Sequence, residues 1–97
     1  MTEFPNIVTK ARTIIQNSLG LHARPAMAFV DLASSFVSSI LVRRADGDEQ
    51  VDGKSIMQML LLAATSGTEI EICADGPDAE GAIAALVGLV ERRFDEE

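Results

Sequence analysis

GLHARPA, residues Gly20 to Ala26, is a junction between two different periodicities. Upstream, Thr13, Ile14 and Ile15 within Arg12 to Gln16 are β-branched and predict a strand. Asn17 to Leu21, with Ser18 and Gly20, predicts the turn that leaves it. Downstream, from Pro25 to Ser35, Ala26, Phe29, Val30 and Ala33 recur at helical spacing. Pro25 suits a first helical turn, where a missing N–H costs nothing. The only histidine of the chain therefore sits between a strand and a helix start.

The same reading extends to the C-terminus. Ser38 to Arg44 centres on Ile40, Leu41 and Val42 and predicts a strand; Asp46-Gly47 predicts a hairpin, with Glu49 to Asp52 returning. Ser55 is a favoured N-cap for a short apolar helix over Ile56 to Ala64, ended by Ser66-Gly67. Glu69, Glu71 and Cys73 alternate with Ile70, Ile72 and Ala74, as in a strand with one solvated face. Gly76-Pro77-Asp78 opens a last helix reaching Phe94, with Ile83, Leu86, Val90 and Phe94 on one stripe. Arg92 and Arg93 suit its negative end, whereas Asp95 to Glu97 are expected to fray. The order β-α-β-β-α-β-α, with one apolar face or stripe per element, predicts an α+β chain in two layers, helices covering one side of a sheet. Residues 1–10, which include Glu3, Pro5 and Asn6, are expected to be a flexible leader, and residues 11–97 a single domain.

Composition narrows the function. Fifteen acidic residues against eight basic give a net charge of −7, so no basic face is available to neutralise nucleic-acid phosphates. No apolar run approaches the roughly 18 residues of a spanning helix, so membrane insertion is not expected, and a cytoplasmic location is. Cys73 is the one cysteine, which excludes an internal disulfide, and a single histidine without clustered carboxylates predicts neither metal nor cofactor.

His22 itself has two readings. It ends a loop or partly caps a helix, or it works as a nucleophile. Neutral imidazole is nucleophilic near pH 7. Just before a helix it meets free backbone N–H groups and the positive end of the dipole. The Arg24 guanidinium adds a charge-assisted donor for a phosphate or carboxylate.

The stretch Leu19 to Ala26 resembles the active-site segment of the HPr family, the histidine-containing phosphocarriers of the bacterial phosphotransferase system. A second motif, Gly53-Lys54-Ser55-Ile56-Met57 before a short helix, stands at the family's spacing, and the likeness runs from about Arg12 to Phe94. The resemblance implies an open-faced β-sandwich of four antiparallel strands and three helices. It implies that His22 accepts a phosphoryl group on Nδ1 from Enzyme I, charged by phosphoenolpyruvate, and passes it to a histidine of an Enzyme IIA domain. Arg24, with the backbone of Ala23 and Arg24, would position the phosphate. Such a chain is a stoichiometric carrier and not an enzyme, and is expected to be a monomer.

Ser55 is explained by capping alone, but the resemblance implies a regulatory phosphorylation there by an HPr kinase/phosphorylase. Gly53-Lys54-Ser55 does not make a nucleotide-binding phosphate loop: the first glycine of G-x-x-x-x-G-K-[ST] would fall at position 48, which is Asp48. The short helix is apolar nearly all round, so part of it is expected to stay exposed as a docking patch: Ile56, Met57 and Leu60, with Met27 from the first helix. A purely regulatory binding module, acting through Ser55 and protein contacts without phosphoryl relay, is the alternative; His22 with Arg24 weighs against it. The acidic ending Phe94-Asp95-Glu96-Glu97 resembles the family's nitrogen-regulatory branch, and Ser55-Ile56-Met57 its kinase-regulated sugar branch. The two features point to different final acceptors.

Overall fold

A computed structural model describes residues 8–96 of the chain. Four strands, β1 (Val8–Ile14), β2 (Ser39–Arg44), β3 (Gln50–Asp52) and β4 (Glu69–Asp75), form one antiparallel sheet in the order β1-β4-β2-β3. Three helices, α1 (Ala23–Ser34), α2 (Ile56–Leu61) and α3 (Ala79–Glu91), cover one face, so the expected open-faced sandwich is what forms. Alternation sets the layers. In β4, Ile70, Ile72 and Ala74 are fully buried while Glu69, Glu71, Cys73 and Asp75 turn the other way. They meet Ile40 and Val42 of β2, Phe29 of α1, Met59 of α2 and Leu86 and Val90 of α3 in one continuous core.

Several boundaries differ from the sequence reading. β1 begins at Val8 and pairs Val8 with Asp75 and Lys10 with Cys73, so the last three residues of the expected leader are sheet; the rest of it, residues 1–7, lies outside the described residues. The hairpin is wider than Asp46-Gly47 suggests: Arg43 faces Gln50, and the turn is held from inside by Arg43, whose guanidinium donates to the Gly47 carbonyl at 2.9 Å. α2 stops at Leu61 and not Ala64, because Ala63 takes a left-handed φ of 54° that ends helical progress.

Two expectations about charge need correction. Glu71 is not a freely solvated strand residue. Its carboxylate lies 3.1 Å from Arg43 Nε and 3.5 Å from Arg12 Nε, bridging β2 and β1 across β4. Desolvation raises its pKa, but the attraction of Arg43 and the bonds from both arginines outweigh that and leave it below the ordinary carboxylate value. The C-terminal acids do not fray as far as they are described: after α3, Arg93–Asp95 form a 3-10 turn and Glu96 is anchored beside His22. Glu97 lies outside the described residues.

Candidate functional site

The loop that follows β1 is tied down by its own hydrogen bonds. Asn17, wholly buried, donates from Nδ2 to the Gly20 carbonyl at 2.7 Å, and the Gly20 amide donates back to Asn17 O at 3.0 Å. Gly20 sits at φ +71, and a Cβ there would lie 2.7 Å from the Ala64 carbonyl oxygen, so only glycine fits. Leu21 then buries its side chain and gives its amide to that carbonyl at 2.8 Å. The loop is thus fixed to the segment following α2, and the next residue is delivered to a set place.

That residue is His22, the N-cap of α1, at φ −85 and ψ −170. Its carbonyl accepts the first helical bond from the Ala26 amide at 2.9 Å, while its imidazole makes no cap bond. The side chain is 37% exposed, with Nε2 3.2 Å from Glu96 Oε1. α1 starts at Ala23, two residues before the expected Pro25, which sharpens the site. The N–H groups of Ala23 and Arg24 have no intrahelical acceptor, Pro25 has no N–H, and Ala26 is already bonded. The first turn carries no acidic residue, and Arg24 is exposed on it. The imidazole therefore stands at a helix start with two amides that have no intrahelical acceptor and an exposed arginine on the same turn, an arrangement chemically suited to an anionic group.

Ser55 is where capping puts it: N-cap of α2, its Oγ accepting from the Gln58 amide at 3.3 Å. The residues before it are structural. A Cβ on Gly53 would lie 2.6 Å from Ile40 Cγ2, and Lys54 Nζ donates to the Phe36 carbonyl at 2.8 Å, so neither is free to cradle a nucleotide. Of the expected patch, Met27, Met57 and Leu60 are exposed, Met57 at 71%. Ile56 is only partly so and packs against the core. Leu61 and Leu19 are more exposed than Leu60, and neither was among the residues expected from the sequence.

A family model, the PTS HPr component phosphorylation site, matches residues 9–92. The chain belongs to the HPr family. It is 42% identical over 86 residues to the phosphocarrier protein NPr of Proteus mirabilis, covering 89% of this chain and 94% of the relative. With the phosphocarrier protein HPr of Cupriavidus necator it shares 44% over 84 residues, 87% of this chain and 92% of that one. The crystal structure of HPr-C-His from Thermoanaerobacter tengcongensis superposes with a TM-score of 0.85 at 43% identity, covering 92% of this chain and 98% of the other. Family membership makes a phosphotransferase-system phosphocarrier role the supported one. Among the described residues no helix is long and apolar enough to cross a membrane.

Two residues of this HPr-family site were not picked out in the sequence. Asn17 reads as an ordinary turn former, and Glu96 as part of a frayed acidic tail. The meeting of Glu96 with His22 and Asn17 depends on a reversal of the chain after α3, for which sequence periodicity carries no signal. A left-handed run of non-glycine residues has no compositional mark either.

Proposed function

We propose that the chain carries phosphoryl groups on His22, taking them from phosphorylated Enzyme I, itself charged by phosphoenolpyruvate, and giving them to a histidine of an Enzyme IIA domain. Nδ1 of His22 forms the P–N bond, the Ala23 and Arg24 amides receive the phosphoryl oxygens, and the Arg24 guanidinium screens their charge. The protein is a cytoplasmic monomer, consumed and regenerated one phosphate at a time, and needs no cofactor.

The observation that carries this reading is the position of the imidazole: N-cap of α1, unspent on capping, and half open to solvent. A helix start contributes roughly 0.3–1 kcal/mol to a bound anion, up to ~2 when partly buried. Each ~1.4 kcal/mol shifts a transfer equilibrium tenfold. Holding of that size orders the phosphate without trapping it, which a relay requires.

Ser55 is proposed as the target of an HPr kinase/phosphorylase. Its phosphate would bring about −1.5 to −2 charge next to a docking surface made of Met27, Ile56, Met57 and Leu60. Partners that bury the patch would then have to desolvate that charge, which opposes transfer.

Incubation with Enzyme I and phosphoenolpyruvate, followed by intact-mass measurement, tests the relay. One acid-labile phosphate is expected, absent in His22→Ala, and lost again on adding an Enzyme IIA domain. No gain with an Enzyme I that charges another HPr would defeat the reading.

A further inference from the structure

Three consecutive L-residues after α3 have positive φ: Arg93 at 56°, Phe94 at 56° and Asp95 at 60°. L-residues visit that region singly, not in series, and such a run persists only where its surroundings over-determine it. Here Phe94 is buried in the core, Arg92 Nε holds Asp95 Oδ1 at 3.1 Å, and the Asp95 and Glu96 amides bond to Arg92 and Arg93 carbonyls. The result is a reversal that sets Glu96 Oε1 3.2 Å from His22 Nε2 and 3.0 Å from Asn17 Nδ2. Asn17 gives its other Nδ2 bond to Gly20 O, so both of its amide protons are used and its orientation is fixed. A buried amide therefore holds the carboxylate against one chosen nitrogen of the ring.

We infer that Glu96 is a positioning residue for His22: it fixes the proton on Nε2 and so leaves the Nδ1 lone pair free to take the phosphoryl group. The inference deepens the carrier reading and rests on it. An ionised carboxylate only accepts, so Nε2 must donate; in a neutral ring Nδ1 is then the unprotonated nitrogen. With an N-phosphoimidazole donor, the Nδ1 pair forms the new P–N bond while the donor's P–N bond breaks and its electron pair returns to the donor ring. No proton moves, Nε2–H stays in place, and the positive character gained by the His22 ring faces the Glu96 carboxylate. Onward transfer runs the same steps in reverse.

The single histidine makes the test direct. In uniformly 15N-labelled protein at alkaline pH, long-range 1H–15N spectra report the ratio of the Nε2–H to the Nδ1–H form. Glu96→Ala should lower that ratio about fivefold, the effect of losing one partly exposed charge-assisted bond. Glu96→Gln should keep it, because Asn17 Nδ2 still orients an oxygen towards the ring. Potassium phosphoramidate, a small donor with no docking surface, should then phosphorylate His22 more slowly in Glu96→Ala than in wild type, with Glu96→Gln between them because it lacks the charge. An unchanged tautomer ratio in Glu96→Ala, with normal labelling, overturns the role of Glu96 and leaves the carrier reading standing. No labelling of wild-type protein by phosphoramidate or by Enzyme I overturns both.

Discussion

The amide of Leu21 donates to the carbonyl of Ala64 at 2.8 Å, so the loop that presents His22 is bonded to the loop that follows α2. This bond ties the histidine loop to the end of the segment that α2 begins, and Gly20 is what allows the approach. Gly20→Ala meets both a left-handed φ and two backbone atoms under 3 Å away. It should cost at least about 2 kcal/mol in denaturant unfolding. It should also move the His22 ring resonances, whereas a variant such as Gly47→Ala, with open space around it, should not.

The cap on α2 gives a smaller and separable effect. Ser55→Ala removes the acceptor for the Gln58 amide and should lower stability by about 0.5–1 kcal/mol, at the modest end because the bond is 3.3 Å long. Ser55→Asp keeps a capping oxygen and should restore stability while slowing transfer from Enzyme I. With HPr kinase and ATP, wild type should gain an acid-stable phosphate that Ser55→Ala does not; its survival in Ser55→Ala would mean that another residue is modified.

Two methionines of one helix separate docking from folding. Met59 is wholly buried and Met57 is 71% exposed. Met59→Ala should cost about 2–5 kcal/mol. Met57→Glu should leave stability within about 0.5 kcal/mol and yet slow phosphoryl transfer from Enzyme I, by placing a charge where an apolar contact is made. Normal transfer by Met57→Glu would remove Met57 from the docking surface.

At the far end of the sheet, Asp78 ties the start of α3 to the segment before β2. Its carboxylate accepts from Ser38 Oγ, Ser38 N and Val37 N. The Ser38 hydroxyl bond, followed by the Val37 amide bond, pulls its pKa down to about 2. A group depressed on folding contributes stability that is complete above its unfolded pKa, near 3.9, and disappears as pH falls through the folded value. Asp78→Asn should therefore be less stable than wild type at neutral pH, and the gap should close between about pH 4 and pH 2 in urea titrations. A gap independent of pH would contradict the ionised role.

Much of this was legible in the sequence, for physical reasons. The core strands and helices announce themselves because Ile70, Ile72 and Ala74, or Ile83, Leu86 and Val90, repeat at the period of their element, and burial follows period. The places of His22 before α1 and of Ser55 before α2 were legible because cap chemistry is local. What was not legible is long-range. Glu71 looks solvated until β1 and β2 bring Arg12 and Arg43 to either side of it. Glu96 looks like a frayed end until Phe94, buried, forces the chain back over 74 positions to His22. Ile56 looked like surface because a six-residue helix of apolar side chains does not reveal which side is down.

The central claim is that a half-open imidazole at the start of α1 takes up a phosphoryl group on Nδ1. The most direct measurement is a 15N and 31P spectrum of the protein after charging by Enzyme I and phosphoenolpyruvate. The account predicts one phosphorus coupled to Nδ1 of His22, with Nε2 still protonated and the signal lost in mild acid. Phosphorus coupled to Nε2, or resident on any residue other than His22, would contradict it.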